Sequence, residues 1–329
     1  MFPRLLFFRM TIRLRELWYI DESMVGLHMA RILISGSSGL IGSLLLPSLK
    51  TNGVEVTLLT RSAEKKSSGT GGSIHWDPAQ PILPKAVSGF DAVIHLAGET
   101  IMGRWTTAKK ARIRDSRILG TRNLALALAN APEKPRVFVC ASAMGYYGNR
   151  GDELLTEESE SGNGFLPELT REWEAASRPA ADAGIRTAHL RTGIVLSTQG
   201  GALRAMLPAF KIGAGGRIGD GRQWMSWIDI QDMVGAIHHI LKSDYLQGPI
   251  NMVAPKPVTN AEFTRTLASL LSRPAIFPVP AFVVKLAFGE MGEELLLSST
   301  RVEPTRLITS GYPFRFRELK TSLQAMLKK

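Results

Sequence analysis

Short runs of β-branched and apolar residues alternate with longer amphipathic segments from residue 30 onward, as in a parallel sheet whose strands are connected by helices. The predicted strands cover residues 31–35, 54–60, 92–97, 136–142 and 187–191, with 193–196 continuing the last strand and a short strand near 74–76. The predicted helices cover residues 40–50, 106–130, 166–183 and 231–242. The sequence therefore predicts an α/β protein with a doubly wound parallel-sheet Rossmann fold.

The alternation loosens after residue 196, where glycine and later proline recur and helices dominate. We expect the sheet-bearing domain to comprise residues 29–196 together with about 227–247. The remaining segments, about 197–226 and 248–329, are expected to form a smaller C-terminal lobe that closes over a cleft and contacts the substrate.

The first 28 residues differ in pattern from the rest, because four arginines stand among leucine, phenylalanine and tryptophan. One interpretation is an upstream start ahead of a native Met29, since the first strand begins at once; the segment is then not native, or disordered. The other is an arginine-rich organelle presequence, although Glu16, Asp21 and Glu22 are unusual in one. We favour the first and predict a cytoplasmic protein, with an organellar location as the alternative.

Charge and composition exclude several classes of protein. The net charge is +11, but the basic residues are spread along the chain and do not interleave with aromatics as in a nucleic-acid groove. No uninterrupted apolar run has the length of a membrane span. The single cysteine, Cys140, cannot form an intrachain disulfide, and the histidines lack metal-ligand spacing. We therefore predict no nucleic acid, no membrane and no metal.

A glycine-rich loop follows the first predicted strand and precedes the first predicted helix. The first glycine permits a tight turn, the second lets backbone N–H groups approach a pyrophosphate, and the third lets helix and strand pack closely. The helix N-terminus adds a partial positive charge. The loop predicts a dinucleotide site formed by Gly36, Ser38, Gly39, Leu40, Ile41 and Gly42.

The residue after the second predicted strand indicates which dinucleotide is bound. NAD-binding sites have an acid about 20 residues past the loop, which holds the ribose 2′-hydroxyl. This chain has Thr60-Arg61 at that point. A guanidinium pairs with a 2′-phosphate through charge-assisted hydrogen bonds. Arg61 thus favours NADP(H) over NAD(H), the alternative being a solvated surface arginine.

Several further motifs resemble the extended short-chain dehydrogenase/reductase superfamily, and within it the YfcH-like group of epimerase family proteins with a small C-terminal domain. The matching stretches are Asp91–Glu99, Arg104–Thr106, Ser116-Arg117 with Thr121, Ser142–Gly148, Trp173-Glu174 and Gly289–Phe314. The resemblance covers residues 30–328 and implies NADP(H) binding. The further cofactor contacts that it implies are Leu96, Ala97, Gly98, Arg117, Ser142 and Val195.

The catalytic residues usual in that superfamily are missing. There, a Tyr-x-x-x-Lys pair and a nearby hydroxyl drive hydride transfer, the tyrosine acting as acid and base. If Trp173-Glu174 is aligned with the acid that follows the lysine, the pair falls at Leu166 and Thr170. The hydroxyl position falls at Ala143, with Ser142 beside it. The resemblance therefore implies an atypical active site.

Three possibilities remain open for the chemistry. Tyr146 or Tyr147 could act as a relocated acid with Ser142 as its partner, or Glu99 could supply acid–base catalysis. The protein would then be an NADP(H)-dependent oxidoreductase or epimerase acting on a small substrate, nucleotide-linked compounds included. Alternatively, the protein binds NADP(H) and serves as a non-catalytic sensor or partner-binding module.

Five more residues belong to the expected cleft or its support. The tryptophans expected to border the cleft could stack on a sugar or simply pack. Two aspartates near residue 230 are expected to cap the following helix or orient backbone. The tryptophans are Trp105, Trp224 and Trp227, and the aspartates are Asp229 and Asp232.

Overall fold

A computed structural model describes residues 31–61 and 71–328, so the predicted N-terminal extension and its alternative readings lie outside the described residues. The strands are β1 (Arg31–Ser35), β2 (Glu55–Thr60), β3 (Ser73–His75), β4 (Ala92–His95), β5 (Val137–Ala143), β6 (Leu154–Leu155), β7 (Arg186–Thr192), β8 (Ile194–Leu196), β9 (Trp224–Met225), β10 (Trp227–Asp229), β11 (Gly248–Met252), β12 (Val258–Thr259) and β13 (Arg301–Val302).

The α-helices connect these strands on both faces of the sheet and build the C-terminal lobe. They are α1 (Leu40–Thr51), α2 (Thr107–Ala129), α3 (Phe165–Ala176), α4 (Arg178–Asp182), α5 (Gly201–Lys211), α6 (Ile230–Lys242), α7 (Asn260–Leu271), α8 (Ala281–Phe288), α9 (Thr305–Thr309) and α10 (Leu319–Leu327). None of the helices in the described ranges is long and apolar enough to cross a membrane.

Seven parallel strands form the central sheet in the order β11-β7-β5-β4-β1-β2-β3. Alternate residues of β1 enter different apolar clusters. Ile32 and Ile34 pack on the face covered by α1 and α6, whereas Leu33 packs on the face covered by α2 and α4. This burial on both faces explains the continuous apolar runs of the sequence, and it confirms the predicted doubly wound Rossmann fold.

Two predicted elements are interrupted in the structure. The segment 193–196 does not continue the strand before it; β8 leaves the central sheet and pairs with β10. Gly193 makes the change possible, because a Cβ there would lie 2.6 Å from the Ser226 carbonyl oxygen. The helix predicted over 166–183 is divided into α3 and α4 at Ser177, and Pro179 stands in the first turn of α4. Proline is tolerated there because it has no N–H to donate.

The boundary between sheet domain and smaller lobe also differs from the prediction. We expected the chain to leave the sheet near residue 247, but β11 (Gly248–Met252) pairs with β7 as the edge strand. Leu307 of α9, together with Tyr312 and Phe314, enters the apolar cluster under the sheet. Part of the predicted lobe therefore packs on the sheet domain, because these apolar side chains are buried in the cluster on one face of the sheet.

Two buried aspartates join the C-terminal segment to α6. Asp229 is the N-cap of α6, where its side chain accepts a hydrogen bond from the Gln231 N–H. The other Asp229 oxygen accepts from the Ser322 hydroxyl of α10 at 2.7 Å. Asp232 accepts from the backbone N–H groups of Arg315 and Phe316. Both carboxylates thus orient backbone, as predicted.

Candidate functional site

The glycine loop between β1 and α1 is so close-packed that side chains are excluded at two positions. Gly36 has φ +74°, and a Cβ there would lie 2.6 Å from the Leu96 carbonyl carbon. At Gly42, a Cβ would lie 2.3 Å from the Gly36 carbonyl oxygen. Gly39 is the N-cap of α1, and the first turn of that helix contains no acidic residue. The first N–H groups of α1 have no partner within the helix, so this helix end can bind an anion such as a dinucleotide pyrophosphate. We call the space at this helix end the anion-binding concavity.

The end of β4 forms the opposite wall of this concavity. Leu96 and Ala97 touch Gly36 through their backbone, so these two segments meet at the carboxyl edge of the sheet. The Arg117 guanidinium stands beside Gly98 and donates to the carbonyl oxygen of Glu99 at 3.0 Å. Burial lowers the pKa of Arg117 to about 10, against the attraction of Glu99. Arg117 remains protonated at neutral pH and supports the loop after β4.

Thr60 ends β2, and Arg61 follows it. Arg61 is exposed, and it is close enough to the Glu99 carboxylate to help lower the pKa of that group. The Thr60 carbonyl oxygen accepts from the Trp76 N–H at 2.9 Å, which ties β2 to the segment after β3. Arg61 therefore stands at the edge of the concavity, with its side chain accessible to a phosphate.

The Glu99 carboxylate forms an ion pair with Lys109. Its Oε1 lies 2.7 Å from the Lys109 ammonium, and its backbone N–H donates to the Ser116 hydroxyl. The hydrogen bond from Lys109 is the main cause that lowers the pKa of Glu99, with smaller contributions from other cations nearby. A carboxylate held ionised in this way is a weak proton donor at neutral pH.

Ser142 and Tyr147 are joined through a buried polar network. The Ser142 hydroxyl donates to Glu174 Oε1 at 2.6 Å, and the two Glu174 oxygens accept from Arg191 Nε and Nη2 at 2.9 and 3.0 Å. Arg191 Nη1 donates to the Tyr147 hydroxyl at 3.1 Å, and that hydroxyl donates to Asn251 Oδ1 at 2.7 Å. Desolvation raises the pKa of Tyr147 to about 12, although Arg191 and Asn251 oppose the rise.

Tyr146 is placed differently from its neighbour. It is half-buried in the turn after β5, and the Arg191 guanidinium carbon lies 3.5 Å from the centroid of its ring. Its ring meets the Tyr147 ring edge-on, with centroids 5.3 Å apart. Tyr146 is therefore a partly accessible phenol beneath a fixed cation, at the same sheet edge as the glycine loop.

The positions where the superfamily pair was expected are filled by packing. Leu166 is buried in a cluster with Trp105, Leu169 and Met291. Thr170 is buried, and its hydroxyl donates to the Leu166 carbonyl oxygen at 2.7 Å. The Leu166 N–H donates to Glu294 of the C-terminal lobe at 2.9 Å. This part of the cleft is consequently closed by side chains of both lobes.

The three tryptophans divide into packing and accessible residues. Trp105 and Trp227 are buried, and their Nε1 groups donate to the carbonyl oxygens of Ile101 and Lys256. Trp224 is half-buried, donates to Asp152 Oδ1 at 2.7 Å, and lies under the Arg301 guanidinium at 4.5 Å. Val195 is half-buried in β8 and packs against the apolar cluster under the sheet.

Two arginines at the site were not identified from the sequence. Arg191 is the cation that holds Tyr146 in position, and Arg301 is a candidate ligand for the substrate. The Glu174–Arg191 pair joins α3 to the end of β7, so no local periodicity reveals it. Arg301 follows a segment fastened to the turn after Tyr147, since the Thr300 hydroxyl donates to the Gly148 carbonyl oxygen. Its Nε is buried without a hydrogen-bond partner among the described residues.

Metal-ligating side chains do not cluster in the described part of the chain. Within residues 31–61 and 71–328, no three His, Cys, Asp or Glu side chains lie together in a way that could hold a metal ion. Cys140 is buried in β5, and burial raises the pKa of its thiol well above the usual value. This thiol is a structural side chain at neutral pH.

Comparison with known proteins places the sheet domain and the lobe in different families. The family described as NAD dependent epimerase/dehydratase matches residues 32–252. The chain belongs to this family. A domain of unknown function, DUF1731, matches residues 279–326, which contain α8, α9 and most of α10. The superfamily and the small C-terminal domain indicated by the sequence motifs are thereby confirmed.

Individual relatives cover nearly the whole chain. An epimerase family protein of Mycobacterium tuberculosis is 41% identical over 296 residues, 89% of this chain and 96% of that protein. The crystal structure of human epimerase family protein SDR39U1 has a TM-score of 0.82 at 35% identity, covering 91% of this chain and 99% of that one. The human protein was crystallised with NADPH, the cofactor that Arg61 predicts for this chain.

A third relative is longer than this chain. The crystal structure of a nucleoside-diphosphate sugar epimerase from Corynebacterium glutamicum has a TM-score of 0.74 at 38% identity. The match covers 91% of this chain but 58% of that one. The two proteins therefore share the family domains, while the Corynebacterium glutamicum protein has a further portion outside the match.

Proposed function

We propose that the protein is an NADP(H)-dependent oxidoreductase or epimerase that acts on a small substrate, with nucleotide-linked sugars as the first class to test. The observation that carries the proposal is the position of Tyr146. This half-buried phenol lies under the Arg191 guanidinium at the sheet edge that also holds the glycine loop.

The cofactor would be held by residues at this edge. Backbone N–H groups of the segment 36–42 would bind the pyrophosphate, and Arg61 would pair with the 2′-phosphate. Residues 96–98, supported from behind by Arg117, would contact the ribose and nicotinamide half. Ser142 and Val195 stand at the ends of the neighbouring strands. Bound NADP(H) supplies hydride donation and acceptance.

Tyr146 would transfer the proton that accompanies this exchange. Its hydroxyl donates a proton to a substrate carbonyl oxygen in one direction and accepts one from a substrate hydroxyl in the other. Arg191, buried and fixed by Glu174, places a positive charge over the ring and holds the ring in position. Tyr147 is less suited to this role, because its hydroxyl is already engaged and its pKa is raised to about 12.

The far end of the substrate would lie against Trp224 and Arg301. A flat cation stacked on an aromatic ring suits a group that combines negative charge with a planar face, as nucleoside diphosphates do. The Corynebacterium glutamicum relative, described as a nucleoside-diphosphate sugar epimerase, supports the same substrate class.

A substrate panel tests the proposal. NADPH oxidation would be followed with small carbonyl compounds, and epimer formation with nucleotide-linked sugars. We expect turnover by the wild type, and loss of roughly 100-fold or more in Tyr146→Phe, the scale of general acid–base catalysis. The Kd for NADPH, measured by the fluorescence of the bound cofactor, should be unchanged.

Tyr147→Phe is the matched control, because it removes the neighbouring hydroxyl. It should retain most of the turnover while its melting temperature falls, since Asn251 and Arg191 lose a buried partner. Equal turnover in Tyr146→Phe and the wild type would exclude Tyr146 as the acid.

The second candidate is a non-catalytic NADP(H)-sensing or partner-binding protein. It is favoured by the burial of Leu166 and Thr170 at the positions of the usual catalytic pair. Tight NADPH binding without turnover of any substrate in the panel would support it. The same result would contradict the proposed enzymatic activity.

A further inference from the structure

The C-terminal lobe presents large apolar side chains to solvent. In α8, whose eight residues are all described, Val284 is the buried side chain. Phe282 and Leu286, one helical turn apart, are 69% and 75% exposed, and Ile276 and Phe277 just before the helix are 72% and 67% exposed. We call Ile276, Phe277, Phe282 and Leu286 the apolar face. Large exposed apolar side chains so close together in the chain indicate an interaction site.

The backbone that carries the apolar face is firmly held. The Val279 N–H donates to the Arg217 carbonyl oxygen at 2.8 Å, and the Gly219 N–H donates to the Val279 carbonyl oxygen at 2.9 Å. Beneath α8, Val284 packs against Gly292 so closely that a Cβ on that glycine would lie 2.9 Å from the valine side chain. The exposed side chains therefore cannot turn inward without breaking these contacts.

The helix α8 contributes little net charge to the face. Lys285 is the ionic residue of α8, and its ammonium lies 2.6 Å from Glu293 Oε1. The positive charge that the helix itself brings to the face is therefore neutralised.

The area matches what association between two copies requires. Ile212, 80% exposed, stands beside the face, since the Arg273 guanidinium donates to the carbonyl oxygen of the preceding Lys211. Side chains of this size carry ~150–250 Å² each, so together these five present roughly 600–800 Å², against about 800 Å² per subunit in a standard interface.

We propose that the apolar face binds the same face of a second copy of this chain, forming a symmetric dimer through α8. A two-fold axis brings each residue opposite its own counterpart or a near neighbour, so one apolar patch suffices for both subunits. The Lys285–Glu293 pair would lie near the edge of the interface.

Sedimentation equilibrium over a wide range of protein concentration tests the proposal. We expect a mass of twice the 36.0 kDa chain for the wild type. Phe282→Glu and Leu286→Glu should each yield a monomer, with melting temperature and NADPH affinity close to those of the wild type. Leu83→Glu, an equally exposed leucine in the loop before β4, should remain a dimer.

Disulfide trapping gives a second measurement that keeps the fold intact. Leu286→Cys should form a disulfide-linked dimer on mild oxidation, whereas Leu83→Cys should not; the native Cys140 is buried and does not interfere. A wild-type mass of one chain, or equal cross-linking of both cysteine variants, would overturn the dimer. Sedimentation of a monomer with anionic phospholipid vesicles, lost in Phe282→Glu, would assign the face to a lipid surface and also overturn it.

Discussion

Arg61 is the exposed side chain from which the choice of cofactor is predicted. Its guanidinium matches a 2′-phosphate, and an acid at the same point would match a 2′-hydroxyl. This prediction needed only the position of Arg61 after the second strand, and the NADPH in the human structure agrees with it.

Arg61→Ala should therefore weaken NADPH binding roughly 10- to 100-fold, the scale of a lost charge-assisted hydrogen bond, while the Kd for NADH changes little. Fluorescence titration with both cofactors measures this. Arg31→Ala, at the other end of the sheet where Arg31 contacts Gly89, is the control and should leave both affinities unchanged. Equal losses for NADPH and NADH in Arg61→Ala would mean that Arg61 does not read the 2′-phosphate.

Glu174 is the residue on which the polar network depends. It accepts from Ser142 and pairs with Arg191 through both carboxylate oxygens; the Arg191 side chain is 4% exposed and that of Glu174 is 12% exposed. Removing one member of a buried pair leaves the other charge desolvated and unpaired.

Glu174→Ala should lower the free energy of unfolding by about 3–5 kcal/mol, measured by urea denaturation. Glu174→Gln keeps the shape and one acceptor oxygen, and it should lose less. Glu172→Ala is the control, since Glu172 is a more exposed residue of the same helix that pairs with Arg114 on the surface. A similar small loss in all three variants would show that the buried pair contributes little to stability.

The candidate catalytic residues illustrate what single-residue reasoning could not decide. Tyr146 and Tyr147 are equivalent candidates for the acid in the sequence, with Ser142 as the partner of either, since all three are hydroxyl-bearing residues near one turn. The structure separates them by long-range contacts: Glu174 and Asn251 come from other elements and engage Ser142 and Tyr147. Whether Tyr146 is catalytic stays a proposal.

At the scale of elements, the glycine loop and α1 behave as one unit. The position of Gly42 in the first turn of α1 brings its Cα against the Gly36 carbonyl oxygen, and this contact sets the angle at which the helix leaves the strand. The spacing of the three glycines predicted this unit, because only a local turn and close packing are involved.

Gly42→Ala should therefore displace α1 from the loop, which lowers the melting temperature and weakens NADPH binding by more than roughly tenfold. Thermal unfolding with and without NADPH measures both effects. Ser43→Ala, at the next and exposed position of the helix, should leave both quantities near wild type. Normal affinity in Gly42→Ala would show that the loop tolerates the added methyl group.

The elements that the sequence misplaced depend on partners far away in the chain. β8 was expected to continue β7 because its residues are apolar and β-branched, yet β10 pairs with it 33 residues later. Propensity reports that a segment suits a strand, but it does not report which sheet the strand joins.

At the scale of the whole molecule, Asp229 links the sheet domain to the final helix. It caps α6 and accepts from Ser322 of α10. Desolvation raises the pKa of this carboxyl from 3.8 to about 6, although both hydrogen bonds oppose the rise. The folded protein therefore binds a proton at Asp229 more tightly than the unfolded chain does.

Because the pKa of Asp229 is higher in the folded protein than in the unfolded chain, protonation of this carboxyl stabilises the fold. The stabilisation is complete below about pH 4 and is lost as the pH rises through about 6. Asp229→Asn should remove the dependence. The wild type should therefore gain stability relative to Asp229→Asn between pH 7 and pH 4, on the order of 2–3 kcal/mol, as measured by urea denaturation. Asp244→Asn, an exposed control, should show no such trend. A constant difference between the wild type and Asp229→Asn would contradict the shift.

The sequence by itself determined the parallel sheet, the glycine loop and the NADP(H) preference, because each depends on local periodicity, local turns or one charge near the loop. The tertiary structure decided which hydroxyl groups are hydrogen-bonded and where the sheet domain ends. It also decided that residues 96–97 pack against the glycine loop. These features join residues far apart in the chain, and no local pattern records such contacts. The apolar face of α8 shows the same division: its apolar residues are visible in the sequence, but only the fold leaves them exposed.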